Sequence, residues 1–516
     1  KIFNNYNQDS FNEDNSLTNT SEGKTFSESD VKKFGNFLSY YKRFTNKSTL
    51  SLEFENENEV TDRGQEVYRN TIFINDTSLN DYRNQTYNER LTTDDYNLRF
   101  AYRKLINTKK SLYFNLEYNF VQNKESQDVF DKNNTSSVAT VDYLTWENIF
   151  SKSTISPMIR FHHTNQTGPS YSIHLGNSMN YYTIDTYHLN SRNILKRQSI
   201  LPNVTFRYSN KFGKDWRYSL SYNIEGRIPE MRQMLSYANR NSTTSVQLGN
   251  PELDDVIGQS VNINLNKYDF ETRSGLFLYG NVRHVFNDVV NTSTVDENFF
   301  TTYKYENVKD IYSYNFSLTY SKEYTINDHK IKPEASLSLY SSYNKGMINN
   351  QAYEANVDYI TPRVQASWKY KEIFDLTPSY SVSTNNAKYY NYSITGSKSI
   401  MHEAKLSLTT FVPKNVVFGS DLTYNNNPNL GTGLNNDFLL WNASLGYTFL
   451  NQQLTVKVKG YDLLNQNQSI SRYNSATSIV DSKSLVLQRY VMFSLTYKLN
   501  KFGGKQESGT NHVIVM

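Results

Sequence analysis

The stretch Val491-Met492-Phe493-Ser494-Leu495-Thr496-Tyr497-Lys498-Leu499 constrains this chain more than any other. Val491, Phe493, Leu495, Tyr497 and Leu499 fall on one face, and Met492, Ser494, Thr496 and Lys498 on the other. A period of two with one apolar and one polar face is a half-buried β-strand. The same pattern recurs far back through the chain, and no second apolar layer is available to cover those faces. Lipid is then their natural solvent, and strands cross lipid only in a closed barrel, where no sheet edge is left unpaired. The expected fold is all-β: a transmembrane antiparallel β-barrel of the bacterial outer membrane.

Composition is consistent with that reading once the right ruler is used. Of 516 residues only 37% are hydrophobic, and the mean hydropathy is -0.68. No run approaches the ~18–20 apolar residues of a membrane helix, but a barrel strand needs only ~9–11, every second one apolar. The chain carries 42 Tyr and 29 Phe against 4 Trp, a surplus that suits aromatic girdles at the two lipid–water interfaces. Cysteine is absent, which removes disulfides and thiolate metal sites. A net charge of +4 is small for this length and argues against a nucleic-acid partner. The first residue is Lys1 rather than Met and no signal peptide is visible, so the segment is expected to be processed or truncated, with an export signal once upstream.

Short polar turns punctuate the strands. Expected pairs are about 35–44 with 48–57 around Thr45-Asn46-Lys47, and about 95–106 with 110–122 across Asn107-Thr108-Lys109. In the second pair Leu98, Phe100 and Tyr102 should face Leu112, Phe114, Leu116 and Tyr118. A third pair, about 140–150 and 153–164, is expected to turn at Ser151-Lys152, and a fourth, about 202–210 and 215–226, at Lys211-Phe212-Gly213-Lys214. Further turns are expected near Glu271-Thr272-Arg273, Asn327-Asp328-His329, Lys371-Glu372, Pro413-Lys414-Asn415 and Asn451-Gln452. Asn, Asp, Gly and Pro in such turns are hairpin chemistry. Long connections are expected at about 58–94, 123–138, 166–200, 227–257, 289–308, 343–356, 427–436 and 465–482. Short turns on one side and long loops on the other match the periplasmic and extracellular rims of bacterial barrels, and no soluble sandwich or propeller alternates so strictly.

Nine hairpins and the terminal strand give about 19 strands, by the turn and period rules. The last strand runs toward the periplasm, so an odd count makes the first strand enter from outside. Single-chain bacterial barrels usually have even strand numbers, so an odd number of strands is expected to be missing upstream; a 22-stranded barrel would lack three. The inward faces are wet. Leu454, Val456 and Val458 alternate with Thr455, Lys457 and Lys459, and Val364, Ala366, Trp368 and Tyr370 with Arg363, Gln365, Ser367 and Lys369. After Leu440 the alternate positions are Asn442, Ser444, Gly446 and Thr448. Such walls suit a water-filled or plugged lumen.

Segment 201–257 resembles the signature region of the Bacteroidetes-type TonB-dependent receptor barrels, an outer-membrane β-barrel family. Leu201-Pro202-Asn203-Val204-Thr205-Phe206-Arg207-Tyr208-Ser209 resembles its "FPS-x-S-x-SY" strand, and Arg227-Ile228-Pro229 its Arg/Pro element. Leu248-Gly249-Asn250-Pro251-Glu252-Leu253 matches its "GNP-x-L" loop. Near the end, Tyr461-Asp462-Leu463-Leu464-Asn465-Gln466-Asn467 and Arg489-Tyr490-Val491 through Lys501-Phe502-Gly503-Gly504 are similar to its closing strands. The resemblance covers about 95–505. It marks Arg227, Pro229, Gly249, Asn250 and Pro251 as structural motif residues. It implies a 22-stranded barrel around an N-terminal plug preceded by a TonB box. Neither is present in this chain, which is divided as a barrel over 1–502 and a tail over 503–516; the tail departs from the family ending, and the apolar His512-Val513-Ile514-Val515-Met516 has no sequence-level account.

Motifs for covalent chemistry are missing: there is no Walker loop, nucleophile elbow or metalloprotease helix. His162-His163 is the single adjacent histidine pair, and consecutive strand positions point to opposite faces, which spoils them as joint ligands. Glu125, Asp128 and Asp131, or Glu252, Asp254 and Asp255, lack the spacing of a calcium hand and are expected to be solvated loop surface. Aromatic loop residues Tyr237, Phe299, Phe300, Tyr303 and Tyr305 are open between stacking on a sugar or peptide and packing a lid or partner. The expected function is that of the resemblance: a TonB-dependent receptor taking up a scarce nutrient, not an enzyme, with no cofactor or metal. Its partners would be the outer-membrane bilayer, TonB through the missing N-terminal region, and a surface lipoprotein or other outer-membrane protein. The alternative is a structural or assembly subunit of a larger outer-membrane complex, binding partners through loops of about 30 residues such as 58–94 and 227–257.

Overall fold

The computed structural model describes residues 2–11, 16–132, 139–166, 168–213, 215–391, 396–428, 436–450, 453–467, 469–474, 479–484, 488–498 and 513–515. Among these, 25 strands join one sheet. Nineteen are the staves of its wall, in chain order: β1 Leu17–Arg43, β2 Thr49–Phe73, β3 Asp81–Leu105, β4 Lys110–Asp131, β5 Trp146–His163, β6 Ser170–His188, β7 Ser191–Phe212, β8 Trp216–Arg227, β9 Val256–Asp269 and β10 Ser274–Val295; then β11 Thr301–Lys322, β12 His329–Ile348, β13 Gln351–Tyr370, β14 Phe374–Tyr390, β15 Ser397–Thr410, β16 Val416–Asn426, β17 Asp437–Phe449, β18 Leu454–Tyr461 and β19 Tyr490–Lys498. Each stave pairs antiparallel with the next, from β1–β2 through β18–β19. Antiparallel meander topology follows from the short turns, which leave no room for a crossover. The expected strand number is therefore present.

Register fixes which face meets lipid. Leu98 pairs with Tyr118, Phe100 with Leu116 and Tyr102 with Phe114; Tyr102 is half-buried and the other five lie exposed on the outer face. The row continues through Ile155, Ile159, Ile173 and Leu175, all exposed. Above Tyr96 the outer face turns polar. Asn36 donates Nδ2 to Asn56 Oδ1 at 3.0 Å, Asn56 to Asn58 Oδ1 at 2.6 Å, and Asn58 to Asp94 Oδ1 at 2.5 Å. That amide ladder marks the outer boundary of the lipid band, because side-chain amides need partners that lipid does not offer. β2 and β3 each have 25 residues, whereas roughly 9–11 suffice to cross the hydrocarbon. The remainder stands above the membrane as the wall of a vestibule.

This height accounts for the main departures from the expected boundaries. The connection expected at 58–94 is wall: β2 runs to Phe73 and β3 starts at Asp81. Connections at 289–308 and 343–356 shrink in the same way, the second to Asn349-Asn350 with φ of 49° and 63°. Two central residues at positive φ form the primed turn whose twist matches the flanking strands. The hairpin expected to turn at Ser151-Lys152 is overturned, because β5 passes straight through: Ser151 pairs with Thr183 and Lys152 with Tyr182. Neither residue favours positive φ or breaks a ladder. The chain turns instead over 164–169, where Asn165, Gly168 and Pro169 supply turn chemistry and the Ser170 hydroxyl accepts from the Asn165 N–H at 2.9 Å. The connection expected at 166–200 is accordingly β6 and β7, joined at Leu189-Asn190 with φ of 51° and 57°. The two strands expected at 140–150 and 153–164 fall on the single stave β5, whose hairpin partner is β6, so the number of staves is unchanged.

The other expected turns occur in place, at Lys47, Arg273, Asn327, Lys371 and Asn415 with positive φ. The turn at Asn451-Gln452, Leu499 and the closing segment 501–504 lie outside the described residues. From the tail, Val513–Val515 pairs with Thr496–Lys498. A short strand, Ile2–Phe11, covers the upper edge of β1 from Leu17 to Ser27. Among the described residues, β1 and β19 are not paired with each other.

An inward-folded connection across the vestibule

Three inner-wall staves turn apolar above the membrane level. Phe150 on β5, Tyr182 and Ile184 on β6 and Leu195 on β7 share the lumen face. The connection between β8 and β9, residues 228–255, is built to sit on that patch. Its Met234, Leu235 and Leu253 complete the cluster and are 1%, 7% and 0% exposed. Ile228, Met231, Tyr237, Val289 and Tyr305 pack around it. Burying three such side chains contributes roughly 1.5–3 kcal/mol each, enough to hold the connection inside the barrel.

The residues that the sequence singled out lie at its pivot. The Cβ of any residue at Gly249 would stand 2.1 Å from the Leu235 carbonyl oxygen, so two backbones approach there as only glycine permits. Asn250 donates its N–H to the Gln233 carbonyl at 2.7 Å and Nδ2 to the Tyr305 carbonyl at 2.9 Å, and its Oδ1 accepts from the Glu252 N–H at 3.0 Å. The Pro251 and Leu253 carbonyls accept from the Arg197 guanidinium on β7. Pro229 is fully buried, and Arg227 donates to Asp288 at 2.9 Å. From this pivot, Ser245–Leu248 runs parallel to Thr301–Lys304 of β11.

The far side of the connection is latched to staves that the sequence left as loop. Arg83 on β3 donates to the carbonyls of Arg240 at 3.0 Å and Asn241 at 3.1 Å. Arg69 on β2 donates to the Asn241 carbonyl at 2.8 Å, and Thr71 meets Thr243 at 2.7 Å. The Gln127 and Asn241 amides pair reciprocally at 3.1 and 3.2 Å. Asp81 holds Arg83 at 2.7 Å. The connection thus leaves β8, seats on β5–β7 and reaches β2–β4. Leu144, in the connection after β4, packs inward too, against Val67, Tyr87 and Val129. At the rim, Asn19 of β1 donates to the Asn298 carbonyl in the turn between β10 and β11 at 3.1 Å.

Between wall and connection lies a cavity of about 400 Å³. Trp146, Tyr237 and Tyr305 line it with Glu125, Gln127 and Arg232. The Trp146 and Tyr237 rings are 6.3 Å apart, and the Tyr237 hydroxyl oxygen accepts from Asn148 Nδ2 at 3.2 Å. Charges there are matched: Arg232 meets Glu125 at 3.3 Å, and Arg63 meets Glu89 at 3.5 Å. Burial pushes the Tyr237 phenol up to about 12. Of the aromatic loop residues, Tyr237 and Tyr305 therefore pack the lid, and Tyr303 lies in its ladder opposite Gln247; Phe299, at φ 62°, is in the β10–β11 turn.

His162 and His163 do point apart. His162 lines the lumen, while His163 stacks on Tyr171 at 4.9 Å. Glu125, Asp128 and Asp131 lie on stave β4 rather than in a loop. Asp255 accepts from the Ser199 hydroxyl at 2.5 Å, and the Asp254 N–H donates to Asn307 at 2.8 Å. Among the described residues no group of three or more His, Cys, Asp or Glu stands close enough to hold a metal ion.

A family model described as "Outer membrane protein beta-barrel family" matches residues 42–497. No curated protein matches. Solved structures similar in shape include "Copper transporter OprC", at TM-score 0.44 and 10% identity over 93% of this chain and 78% of that one. Others are the outer membrane transporter YddB from Escherichia coli, at TM-score 0.38 and 10% identity over 93% and 76%, and the unliganded ferric citrate transporter FecA, at 0.39 and 10% over 92% and 75%. The family model spans most of the wall, and the chain belongs to the outer membrane protein β-barrel family, placed in the bacterial outer membrane.

Proposed function

We propose that the protein is the barrel of a TonB-dependent receptor that takes up a scarce nutrient. The observation that carries the reading is the connection folded inward across the vestibule. A diffusion pore keeps its mouth open, whereas here 228–255 crosses from β8 to β2–β4 and encloses an aromatic and amide-lined cavity. A solute entering from outside is caught rather than sieved, and its onward passage needs work, which suits an energised system. The 201–257 resemblance supplies the TonB expectation. The barrel acts by binding and passage, without covalent chemistry. The assembly alternative rested on partner-binding loops, yet 58–94 is mostly wall and 227–257 is packed inward.

The test is electrical and genetic. The native protein in planar bilayers should show no steady open conductance, and the growth advantage it confers on a limiting nutrient should vanish when TonB is deleted. A large constitutive conductance, or a TonB-independent phenotype, would overturn the proposal.

A further inference from the structure

Below the vestibule the inner wall carries a second feature, unrelated to the loop. Register places Arg103, Tyr113, Arg160, His174 and Thr205 side by side across five consecutive staves. The next row down holds His162, Ser172 and Arg207. All share the lumen face with Arg83, Gln127 and Phe150, because alternation along each stave is unbroken between them. Arg103 and Arg160 sit over the Tyr113 ring, at 5.6 and 5.5 Å from its centroid. Arg160 and Arg207 line a cavity of about 440 Å³ together with Ser172, Ser219 and Ser221.

The unusual property is charge balance. Several other arginines of the wall are paired, Arg99 with Glu55 and Glu117, Arg63 with Glu89 and Arg83 with Asp81, while Arg69 and Arg197 donate to carbonyls of the inward connection. Among the described residues none of Arg103, Arg160 and Arg207 makes an ion pair. Nearest on the neighbouring stave is Glu117, four positions above Tyr113 or roughly 13 Å along the strand, and it is held by Arg99 and Asn97. Arg103 Nε and Arg160 Nε are buried with no hydrogen-bond partner. Three guanidinium groups within a few staves repel one another, and buried donors left unmade are costly. Both penalties are relieved by an anion.

We propose that this cavity is an anion-binding station on the inner wall, taking a carboxylate or phosphate group. Guanidinium forks match two oxygens of either group at once, and Ser172, Ser219 and Ser221 add hydroxyl donors. The cavity is large enough for a phosphate or for one end of a larger anionic solute. The proposal does not depend on TonB, since it concerns equilibrium binding.

Pyrophosphate and citrate are the probes, titrated calorimetrically into the full chain in detergent. Wild type should bind at least one of them, and which one binds tighter separates the phosphate from the carboxylate source. Arg160→Gln and Arg207→Gln together should weaken binding by about 100-fold, two lost charge-assisted contacts at roughly tenfold each. Ser338→Ala, on β12, should leave it unchanged. Folding of each variant is checked by heat-modifiable mobility in detergent gels. If the double variant misfolds, Arg160→Lys, which keeps the charge and loses the fork, should still weaken binding. No binding by wild type, or equal binding by folded variants, would overturn the proposal.

Discussion

Arg83→Ala tests whether the inward connection is held by its latch or only by its apolar seat. The Arg83 side chain is 4% exposed, so its removal leaves the carbonyls of Arg240 and Asn241 facing a gap. Hydrogen bonds to a charged donor are worth about 1.5–3 kcal/mol each. Two are lost at good geometry, 3.0 and 3.1 Å, and the contact to Ser242 at 3.4 Å adds little. Asn241 keeps Arg69 at 2.8 Å, which offsets part of its share. The net cost is about 2–4 kcal/mol, or roughly 30- to 1,000-fold in the local opening equilibrium. Because the Met234–Leu253 cluster is untouched, opening should stay local. Amide exchange over 238–243 should therefore accelerate about 30-fold or more, while the ladder of 245–248 on β11 keeps its protection. Arg83→Lys retains a charge beside Asp81 but cannot reach two carbonyls with a planar fork, and should recover less than half of the loss. Unchanged exchange over 238–243 in a folded Arg83→Ala variant would refute the latch; loss of the 245–248 protection would refute its separation from the seat.

Other parts of the construction give further expectations. Leu253→Ala, at a fully buried position, should cost the docked connection about 2–5 kcal/mol, read as protease cleavage within 228–255 and as a new conductance through the vestibule. Gly249→Ala forces the backbone away from Leu235, and should expose the same segment to protease while leaving the barrel folded. Leu116→Arg on the lipid face should cost about 2–4 kcal/mol of barrel stability in urea titration, whereas Asn115→Arg on the lumen face should be tolerated. Tyr237 provides the pH dependence. Its phenol is held neutral up to about 12 in the docked state, against about 10 when the connection is undocked. The undocked state thus loses its proton first, so docking is at full strength below about pH 10 and weakens as pH rises from there to about 12. Tyr237→Phe should remove that dependence from cleavage within 228–255.

The wall was legible at the membrane level because lipid enforces a period of two. Leu98, Phe100, Leu116 and Tyr118 had to alternate with Asn97, Arg99 and Glu117, and their hairpin turns where Asn107 Oδ1 accepts from the Lys109 and Lys110 N–H groups. Above the lipid that pressure disappears. In 58–94 the outer face meets water and the inner face meets a polar vestibule, so Asn56, Asn58 and Asp62 stand on one side and Glu57, Glu59 and Arg63 on the other, with no contrast for a periodicity to detect. The ladder hydrogen bonds of β2 and β3 do not need that contrast. Strands without an apolar face therefore read as loop.

The vestibule site shows the complementary limit. Gly249, Asn250 and Pro251 could be singled out because a close backbone approach and a fixed turn leave a compositional mark at one point in the chain. The latch leaves none, since Arg69, Arg83 and Gln127 come from three staves and meet Asn241 only once the sheet has curled by more than a third of its staves. What makes Arg83 a latch and Arg103 a free cation is position alone: both lie on β3 and face inward, twenty residues apart. The first finds Asp81 and two carbonyls of the folded connection, and the second finds an aromatic ring and another guanidinium. A long stave thus carries two environments, a closed and charge-matched chamber above and an open, positively charged wall below. A solute released from the upper cavity meets the lower one next, and if it is anionic the field along β3–β7 favours its movement inward.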